Sequence, residues 1–405
     1  MSLNKKCFAE YCQNNLVVLD GATGTNLMKA GMDMGECPER WILDHAEVMI
    51  SMQVDYIKAG SNVIYAPTFT CNSIKLEEYG LEDSLADYNE KLVELSKEAI
   101  RRSGCESPIY IAADLTMTGK QIVPVGALEF EDLIQVYKEQ VSVLMNTGVD
   151  LFVIETMMSL QETRAAVLAV KETCDLPIMV SMTFESDGRT LYGSDAKTCA
   201  IVLEHLGICA IGANCSTGPI LMKSIIADMA SVASIPILAK PNAGMPELDQ
   251  DGNTIYSLGA EKFAQEMKVL INAGATIVGG CCGTTHQHIE RLVEEVSKLS
   301  FHKLQVNHQV GYLTTERNTL SIGLNDPFYM IGERINPTGK KALQASLREG
   351  DLTMVESFAK EQIAKGATLL DVNLGMNGID ECAMMVQVIQ ELAAQVEVPL
   401  VIDSS

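Results

Sequence analysis

The chain lacks any apolar run long enough to cross a bilayer, and its first residues, MSLNKKCFAEYCQNN, lack the apolar core of a secretion signal. Basic residues are also few, since 30 Lys and Arg stand against 53 Asp and Glu, a formal net charge of −23. So acidic a surface repels the phosphates of nucleic acids and anionic lipids. The sequence therefore predicts a cytoplasmic protein with neither nucleic acid nor membrane as a partner.

Two other absences narrow the chemistry. The 12 cysteines among 405 residues are too sparse for a disulfide scaffold, so we expect free or metal-bound thiols. Neither a G-x-G-x-x-G motif after the first strand nor a P-loop is present, which argues against the two common nucleotide-binding loops. Hydrophobic residues make up 47% of the chain, enough for two or three domains with ordinary cores.

Short apolar runs alternate with segments of helical periodicity through the first 300 residues. This alternation is typical of parallel strands joined by helical crossovers, and eight such units predict an α/β fold with a (β/α)8 TIM barrel over residues 1–300. The predicted strands are Leu16–Asp20, Asn62–Ala66, Ile109–Asp114, Leu151–Glu155, Ile178–Phe184, Cys209–Asn214, Ile235–Lys240 and Thr276–Cys281.

Nearly every predicted strand ends in a polar residue capable of chemistry. In a closed barrel the carboxyl ends of the strands converge on one mouth, whereas an open doubly wound sheet concentrates such residues at one switch point. The pattern therefore favours the barrel. These residues are Asp20, Thr68, Asp114, Glu155, Thr183, Asn214 with Cys215, Lys240 with Asn242, and Cys281 with Cys282.

After residue 300 the pattern breaks and then restarts. Residues 301–326 have no sustained period and are interpreted as an interdomain connector with some local β structure. Residues 327–405 resume the alternation, with strands at Phe328–Ile335, Thr368–Asn373 and Leu400–Asp403 and helices at Val355–Lys365 and Glu381–Gln395. Because three strands do not close a barrel, we expect a truncated second (β/α) barrel in a fragment of a longer protein.

The sharpest chemical signal is a set of three cysteines at two predicted strand ends. Cys281 and Cys282 stand in Gly-Gly-Cys-Cys-Gly-Thr, and Cys215 follows Gly-Ala-Asn. Three thiolates at one barrel mouth predict a Zn²⁺ site whose fourth position is open, as in catalytic zinc sites. The alternative is that all three are small buried hydrophobic residues. His286 and His288 are either further ligands or part of the first turn of the next helix, capped by Thr284 or Thr285.

An open site of three thiolates suits a soft fourth ligand such as a substrate thiol. Zinc lowers the pKa of a bound thiol and holds it as a thiolate at neutral pH. The reaction expected of such a sulfur is attack on an electrophilic carbon, which is alkyl transfer. On this hypothesis Cys215, Cys281 and Cys282 are the catalytic residues as well as the metal ligands.

Other strand-end residues predict where the rest of the substrate binds. The loop Asp20-Gly21-Ala22-Thr23-Gly24-Thr25 offers backbone N–H groups to a carboxylate, although it could be an ordinary βα loop. Glu155 either pairs with an ammonium group or acts as a polar cap. Asn214 and Asn242 can hydrogen-bond the same ligand. Together with a zinc site that binds thiols, these groups describe an amino acid with a thiol side chain; the predicted substrate-binding residues are Asp20, Gly21, Thr23, Glu155, Asn214 and Asn242.

These motifs resemble a known family. The set DGATGT, ETM, GANCSTGP, KPNAG and GGCCGTTHQHI, over about residues 10–300, is similar to the homocysteine methyltransferase domain, which includes the betaine-homocysteine methyltransferases. The resemblance implies a zinc ion that activates homocysteine, held by Cys215, Cys281 and Cys282. It also implies Asp20, Glu155 and Asn242 near the amino acid end of the substrate.

The motifs after residue 327 resemble the pterin-binding domain shared by cobalamin-dependent methionine synthases and dihydropteroate synthases. They are GERINPTG, LDVNLG and VIDS, and a buried Asp and Asn at the strand ends would suit a pterin edge. The order of the two domains resembles the N-terminal half of the cobalamin-dependent methionine synthases. The implied pterin-binding residues are Glu333, Asn336, Asp371, Asn373 and Asp403.

The resemblance implies a methyl transfer with several cofactors. Methylcobalamin would be the immediate donor, and 5-methyltetrahydrofolate the ultimate donor in the intact protein. Because the chain has no D-x-H-x-x-G motif, cobalamin would be bound by a domain that this chain lacks, a partner in the intact protein. Two alternatives stay open: a betaine- or S-methylmethionine-dependent homocysteine methyltransferase, and a non-catalytic scaffold stabilised by zinc.

Overall fold

The computed structural model describes residues 7–123, 125–248, 254–301 and 310–404. The chain divides into two compact units, Met1–Val306 and Asn307–Ser405, and each is described by itself.

In the first unit, helices and short strands alternate. Up to residue 182 the elements are α1 (Phe8–Cys12), β1 (Val17–Val18), α2 (Gly24–Lys29), α3 (Pro38–Asp44), α4 (Ala46–Lys58), β2 (Val63–Ala66), α5 (Ser73–Glu77), a 3₁₀ turn at Glu82–Ser84, α6 (Leu85–Ser103), β3 (Tyr110–Leu115), α7 (Phe130–Leu144), β4 (Leu151–Met157), α8 (Leu160–Thr173) and β5 (Ile178–Met182). The remaining elements are α9 (Ala196–His205), β6 (Ala210–Asn214), α10 (Pro219–Ala230), β7 (Ile237–Lys240), β8 (Pro246–Leu248), β9 (Thr254–Tyr256), α11 (Ala260–Asn272), β10 (Ala275–Val278) and α12 (His286–Val296).

Eight of these strands form a nearly closed parallel barrel in the order β1-β10-β7-β6-β5-β4-β3-β2. The two end strands meet through a bridge between Leu19 and Val63. The Asn62 N–H also donates to the Val18 carbonyl at 2.6 Å. The prediction of an α/β fold built on an eight-stranded parallel barrel is therefore confirmed, with strand bounds that differ by a few residues.

The barrel has its own apolar core because its strands are buried on both faces. All residues of β2, β3, β5, β6, β7 and β10 are buried, as expected for parallel strands covered by helices. At the amino-terminal end of the strands, α1 places Phe8 beside Tyr110, with ring centroids 5.3 Å apart. This core leaves the opposite end of the barrel, where the strands end, for polar groups.

A feature that the sequence analysis did not predict lies between β7 and α11. Strands β8 and β9 pair as an antiparallel hairpin, with Pro246 opposite Tyr256 and Leu248 opposite Thr254. Most of the hairpin is exposed, and Leu248 keeps 74% of its side-chain surface accessible. Its residues are therefore not held by burial, and it lies outside the barrel sheet.

The second unit contains a hairpin and a small parallel sheet. Its elements are β11 (Gly311–Thr314), β12 (Thr319–Ile322), β13 (Ile331–Ile335), α13 (Lys341–Arg348), α14 (Thr353–Ala364), β14 (Leu369–Asn373), α15 (Glu381–Gln395) and β15 (Leu400–Asp403). The sheet order is β13-β14-β15, and both pairs are parallel. The three strands and two helices predicted after residue 327 are present, whereas α13 was not predicted.

The predicted connector of residues 301–326 is only partly described, because 302–309 lie outside the described residues. Its later part forms the antiparallel hairpin β11–β12. The helices α13, α14 and α15 cover the sheet with an apolar cluster that includes Leu343, Val355 and Leu392. Within the described part of the chain, no helix is both long and apolar enough to cross a membrane, and all twelve cysteines are free thiols.

Candidate metal and substrate site

Three cysteines from distant parts of the chain meet at the mouth of the barrel. Cys215 follows β6, while Cys281 and Cys282 follow β10 after two glycines. Their three Sγ atoms lie within 4.8 Å of one another, and the Cys215 and Cys282 sulfurs are 3.9 Å apart. Tetrahedral zinc with Zn–S bonds of about 2.3 Å places two sulfurs about 3.8 Å apart. The donor set and this spacing therefore fit a zinc ion.

Backbone hydrogen bonds between neighbouring loops hold the three thiols in place. The Cys215 N–H donates to the Lys240 carbonyl at 3.1 Å, and the Cys281 N–H donates to the Pro241 carbonyl at 2.8 Å. Cys215 and Ser216 have positive φ angles of 63° and 57°, and Thr156, near the end of β4, has 59°. Such left-handed residues other than glycine are costly and concentrate at functional sites. In the described residues they occur only at this mouth.

The three thiols also bias one another's ionisation. S–H groups of Cys215 and Cys281 hydrogen-bond to Cys282 and lower its pKa to about 3. The same hydrogen bonds raise the pKa of Cys215 well above its usual range. For Cys281, the hydrogen bond from Cys215 lowers the pKa, but the contact with Cys282 and burial raise it to about 11. These hydrogen bonds therefore favour the thiolate form at Cys282 over that at Cys215 and Cys281.

Asn214 hydrogen-bonds to neighbouring protein groups, and its predicted contact with substrate stays a prediction. Its Oδ1 accepts from the Thr156 N–H at 2.9 Å and from the Ser181 hydroxyl at 2.8 Å. Its Nδ2 donates to Thr156 Oγ1 at 2.8 Å and faces Cys281 Sγ at 3.9 Å. The amide thus links the strained end of β4, at Thr156, to one of the three sulfurs.

A buried charge cluster lies below the thiols. The Lys240 ammonium is 3.4 Å from Asp20 Oδ1 and 3.5 Å from Glu155 Oε2, and it lies 3.9 Å from the centre of the Tyr65 ring. Asp114 is also buried in this region. The two Lys240 contacts are long for hydrogen bonds, and no closer donor in the described residues reaches Asp20 Oδ1 or Glu155 Oε2.

Burial dominates the ionisation of this cluster. It raises the pKa of Asp20 and, with the nearby Glu155 charge, raises that of Asp114 well above its usual range. Burial also raises the pKa of Glu155 to about 7, although Lys240 opposes the shift. For Lys240, burial alone would lower the pKa, but Glu155 and Asp20 raise it well above its usual value. Three carboxyl groups thus share one fixed cation, so the cluster favours a second cation.

The loop after β1 is tied to the loop that carries Cys281. The Ala22 N–H donates to Thr284 Oγ1 at 3.0 Å, so it is not free to bind a carboxylate. Gly21 lies against Tyr56, where an added Cβ would come within 2.6 Å of the phenol oxygen. The Thr23 carbonyl accepts from the Asn26 N–H at 3.0 Å. For Gly21 and Thr23, a role in substrate binding stays a prediction.

The two histidines considered as further metal ligands, and the buried Asn242, lie at separate places around the site. Thr285 begins α12, and its N–H donates to His288 Nδ1 at 3.2 Å, while His288 Nε2 lies 2.9 Å from the Leu258 carbonyl. His286 is exposed, so neither histidine joins the three sulfurs. Asn242 is buried, and no donor in the described residues reaches its Oδ1.

In the second unit, the residues predicted to bind a pterin lie at or near the carboxyl ends of parallel strands. Asn373 Nδ2 donates to Asp403 Oδ2 at 2.9 Å across the pair β14–β15. Burial, and then the charges of Asp403 and Glu333, raise the pKa of Asp371, so these three acids are near one another.

Asn336 closes a local turn instead, because its Oδ1 accepts from the Thr338 N–H at 2.9 Å. The expectation of buried groups at these strand ends was wrong. Asp371 and Asn373 are half-buried and Asp403 is exposed, because β15 has a neighbour on one side only in the described sheet.

Two groups of the first site escaped the sequence analysis. The polar residue Lys240 was recognised at a strand end, but its pairing with both carboxylates was not. Tyr256, in the hairpin, has a hydroxyl that contributes to lowering the pKa of the neighbouring Cys282 thiol by hydrogen bonding. No signal in the sequence placed Tyr256, whereas an excess of strand-end carboxylates could have suggested a partner for Lys240.

The geometry agrees with the comparisons with known proteins. Residues 17–296 match the family Homocysteine S-methyltransferase, and the chain belongs to this family. The match covers the barrel strands and all three clustered cysteines.

Among individual relatives, the chain is similar to methionine synthases. It is 27% identical over 402 residues to "Methionine synthase" of Mycobacterium tuberculosis (strain ATCC 25618 / H37Rv), covering 96% of this chain and 34% of that protein. It is 28% identical over 415 residues to "Methionine synthase" of Mycobacterium leprae (strain TN), covering 98% and 34%. The chain therefore spans about a third of the length of these curated relatives.

Solved structures support the fold. The crystal structure of the homocysteine methyltransferase MmuM from Escherichia coli, in its oxidized form, matches with a TM-score of 0.61 and 19% identity, covering 72% of this chain and 99% of that one. Its metallated form matches with a TM-score of 0.57 at 19% identity, covering 70% and 97%. At this identity the likeness concerns the fold alone.

Proposed function

We propose that Cys215, Cys281 and Cys282 bind a zinc ion and that the chain uses it to methylate the thiol of homocysteine, forming methionine. The observation that carries this proposal is that the sulfur of Cys215 lies within 4.8 Å of those of Cys281 and Cys282, although Cys215 and Cys281 are 66 residues apart along the chain. Three thiolates are a zinc ligand set that leaves a fourth position for a substrate. When bound, the zinc ion would lower the pKa of the substrate thiol and so supply a thiolate nucleophile.

The chain's own residues then orient the amino acid. Asp20 and Glu155 provide the carboxylate oxygens that face only long contacts from Lys240, and these oxygens would accept hydrogen bonds from the homocysteine ammonium. Asn242 adds a buried amide oxygen that has no donor among the described residues. Burial of these groups excludes water and strengthens their interaction with the bound cation.

The second unit supports the donor that we propose. The methionine synthase alignments cover 96–98% of the chain and so extend beyond the family match at residue 296. We assign residues 327–405 to the first part of a barrel that binds 5-methyltetrahydrofolate, the ultimate donor, through Glu333, Asn336, Asp371, Asn373 and Asp403. Methylcobalamin would be the immediate donor, held by a separate domain because no D-x-H-x-x-G motif occurs in this sequence.

The first test is metal analysis followed by homocysteine titration. Freshly purified protein should contain about one zinc per chain, and homocysteine should release about one proton per site as its thiol ionises. Methionine, which has no thiol, serves as the matched ligand that releases none. Protein without zinc, or homocysteine binding without proton release, would contradict the proposal.

A second candidate is a methyltransferase that takes its methyl group directly from betaine or S-methylmethionine, since the family match over residues 17–296 does not specify the donor. The two candidates differ in donor. Incubation of the zinc-loaded chain with homocysteine and each donor separately should yield methionine from methylcobalamin and none from the other two. The opposite result would favour direct transfer.

A further inference from the structure

The hairpin β8–β9 brings a tyrosine to the metal site from outside the barrel. Tyr256 is the last residue of β9, and its side chain packs on Gly283, directly after the Cys281–Cys282 pair. A Cβ added at Gly283 would lie 2.4 Å from Tyr256 Cβ and Cγ, and Gly283 has a φ angle of +80°. Glycine at this position thus lets the phenol ring approach the cysteine loop, and the Tyr256 hydroxyl contributes to lowering the pKa of the neighbouring Cys282 thiol by hydrogen bonding.

Contacts at the base of the hairpin hold Tyr256 in this position. The Leu258 N–H donates to the Ala243 carbonyl at 3.0 Å, and the Ala243 N–H donates to the Cys282 carbonyl at 2.9 Å. On the other side, His288 Nε2 lies 2.9 Å from the Leu258 carbonyl. The cysteine loop and the start of α12 therefore both anchor the segment that follows Tyr256, although the hairpin itself is exposed.

We infer that Tyr256 is a positioning residue of the metal site, whose hydroxyl donates a hydrogen bond to the Cys282 thiolate while that sulfur binds zinc. This inference rests on the proposed function. A phenol keeps its proton at neutral pH, whereas a metal-bound cysteine is a thiolate with lone pairs to accept it.

The hydrogen bond withdraws electron density from one of three thiolates. It therefore reduces the negative charge that the sulfurs donate to the metal and fixes the orientation of the Cys282 side chain. Loss of the hydroxyl should thus change the affinity for zinc and the sulfur-to-metal charge-transfer absorption, while the barrel stays folded.

The test compares Tyr256→Phe with Ser257→Ala in the full chain. Tyr256→Phe removes the hydroxyl but keeps the ring on Gly283. Ser257→Ala removes the neighbouring hydroxyl, which contacts Glu247 at 3.2 Å and no cysteine. Zinc affinity is measured by competition with a chromophoric chelator, and the cobalt-substituted proteins are compared by their sulfur-to-cobalt charge-transfer absorption.

We expect Tyr256→Phe to weaken zinc binding by about 10-fold or more, as typical for loss of a partner of a metal ligand, and to move the charge-transfer band to lower energy. Ser257→Ala should match the wild type in both. Equal affinities and bands for wild type and Tyr256→Phe would overturn the inference alone, as would equal changes in both variants. A wild-type chain that binds neither metal would overturn the proposed function and this inference with it.

Discussion

Both units place acidic side chains at the carboxyl ends of parallel strands, but these side chains are buried in the barrel and more exposed in the second unit. In the barrel, Asp20 and Glu155 lie near the carboxyl ends of parallel strands and keep only 2% and 8% of their surface exposed. In the second unit, Asp403 ends a parallel strand and is exposed. The difference is ring closure, because eight paired strands surround the barrel residues whereas a three-stranded described sheet leaves its strand ends open.

Ring closure buries the carboxyl groups at the barrel mouth, so the free-energy cost of ionising them is high. Burial raises the pKa of Glu155 to about 7, and the Lys240 ammonium stabilises the ionised form only through long contacts. An exposed carboxylate has no such cost and attracts a cation weakly. We therefore expect substitutions at the barrel mouth to have large effects and substitutions at the second sheet to have small ones.

The largest effect is expected from Cys281→Ser, because a hydroxyl is a poor substitute for a thiolate ligand. Zinc affinity should fall by at least about 100-fold, and homocysteine-dependent proton release should disappear. The barrel should remain folded, since Cys281 is not part of its apolar core. Metal analysis and circular dichroism measure the two outcomes.

The control for that variant is Cys105→Ser, which removes an exposed thiol away from the site. It should retain full zinc content. Unfolding of Cys281→Ser, with restored structure only at high zinc, would instead favour the alternative of a scaffold stabilised by zinc.

The next effect concerns stability. Lys240→Met removes the cation that faces Asp20 and Glu155, and breaking a buried ion pair costs about 3–5 kcal/mol. The single tryptophan, Trp41, lies in the first unit and is buried, so its fluorescence during urea unfolding reports on this unit. Lys268→Met removes the surface partner of Glu295 and should cost at most about 1 kcal/mol. Similar costs for the two variants would contradict the account of the buried cluster.

A third prediction concerns pH. Glu155 has a pKa of about 7 in the folded protein against an ordinary 4.5, so between these values the native state binds more protons than the unfolded state. Its contribution to the free energy of unfolding is complete below pH 4.5 and is lost as the pH rises through 7, a change on the order of 3 kcal/mol. Glu155→Gln should flatten this decrease, measured by Trp41 fluorescence in urea at pH 5 and pH 7.5.

The matched variant is Glu290→Gln, which changes an exposed glutamate on α12. It should keep the wild-type slope of stability against pH. A Glu155→Gln variant with the same slope as the wild type would show that the buried glutamate is ionised throughout this range.

The sequence predicts those contacts in the site that follow from the order of the strands, and it does not predict the others. Cys215 and Cys281 could be placed together because parallel strands of a barrel end at one mouth. The contact of Lys240 with two carboxylates could not, because a strand-end side chain can point into the barrel or toward solvent. Tyr256 could not either, since its position depends on a hairpin held by contacts with Ala243 and the start of α12, which no local pattern encodes.

The smallest effect is expected from Asn373→Ala in the second unit, and Asn214→Ala in the first unit is its matched counterpart. The Asn373 amide donates an exposed hydrogen bond to Asp403, and its Oδ1 accepts from the half-exposed Gly375 N–H, so the loss of both should cost about 1 kcal/mol. Asn214 is 1% exposed, and its removal leaves the Thr156 N–H and the Ser181 hydroxyl without their acceptor, which costs about 1–3 kcal/mol for each group.

Hydrogen exchange measured peptide by peptide reports the local stability of each unit separately. Protection of β14 and β15 should fall by no more than about fivefold in Asn373→Ala, whereas that of β5 and β6 should fall far more in Asn214→Ala. If the two asparagines proved equally costly, ring closure would not be the cause of the difference between the units, because burial is what makes an unpaired donor expensive.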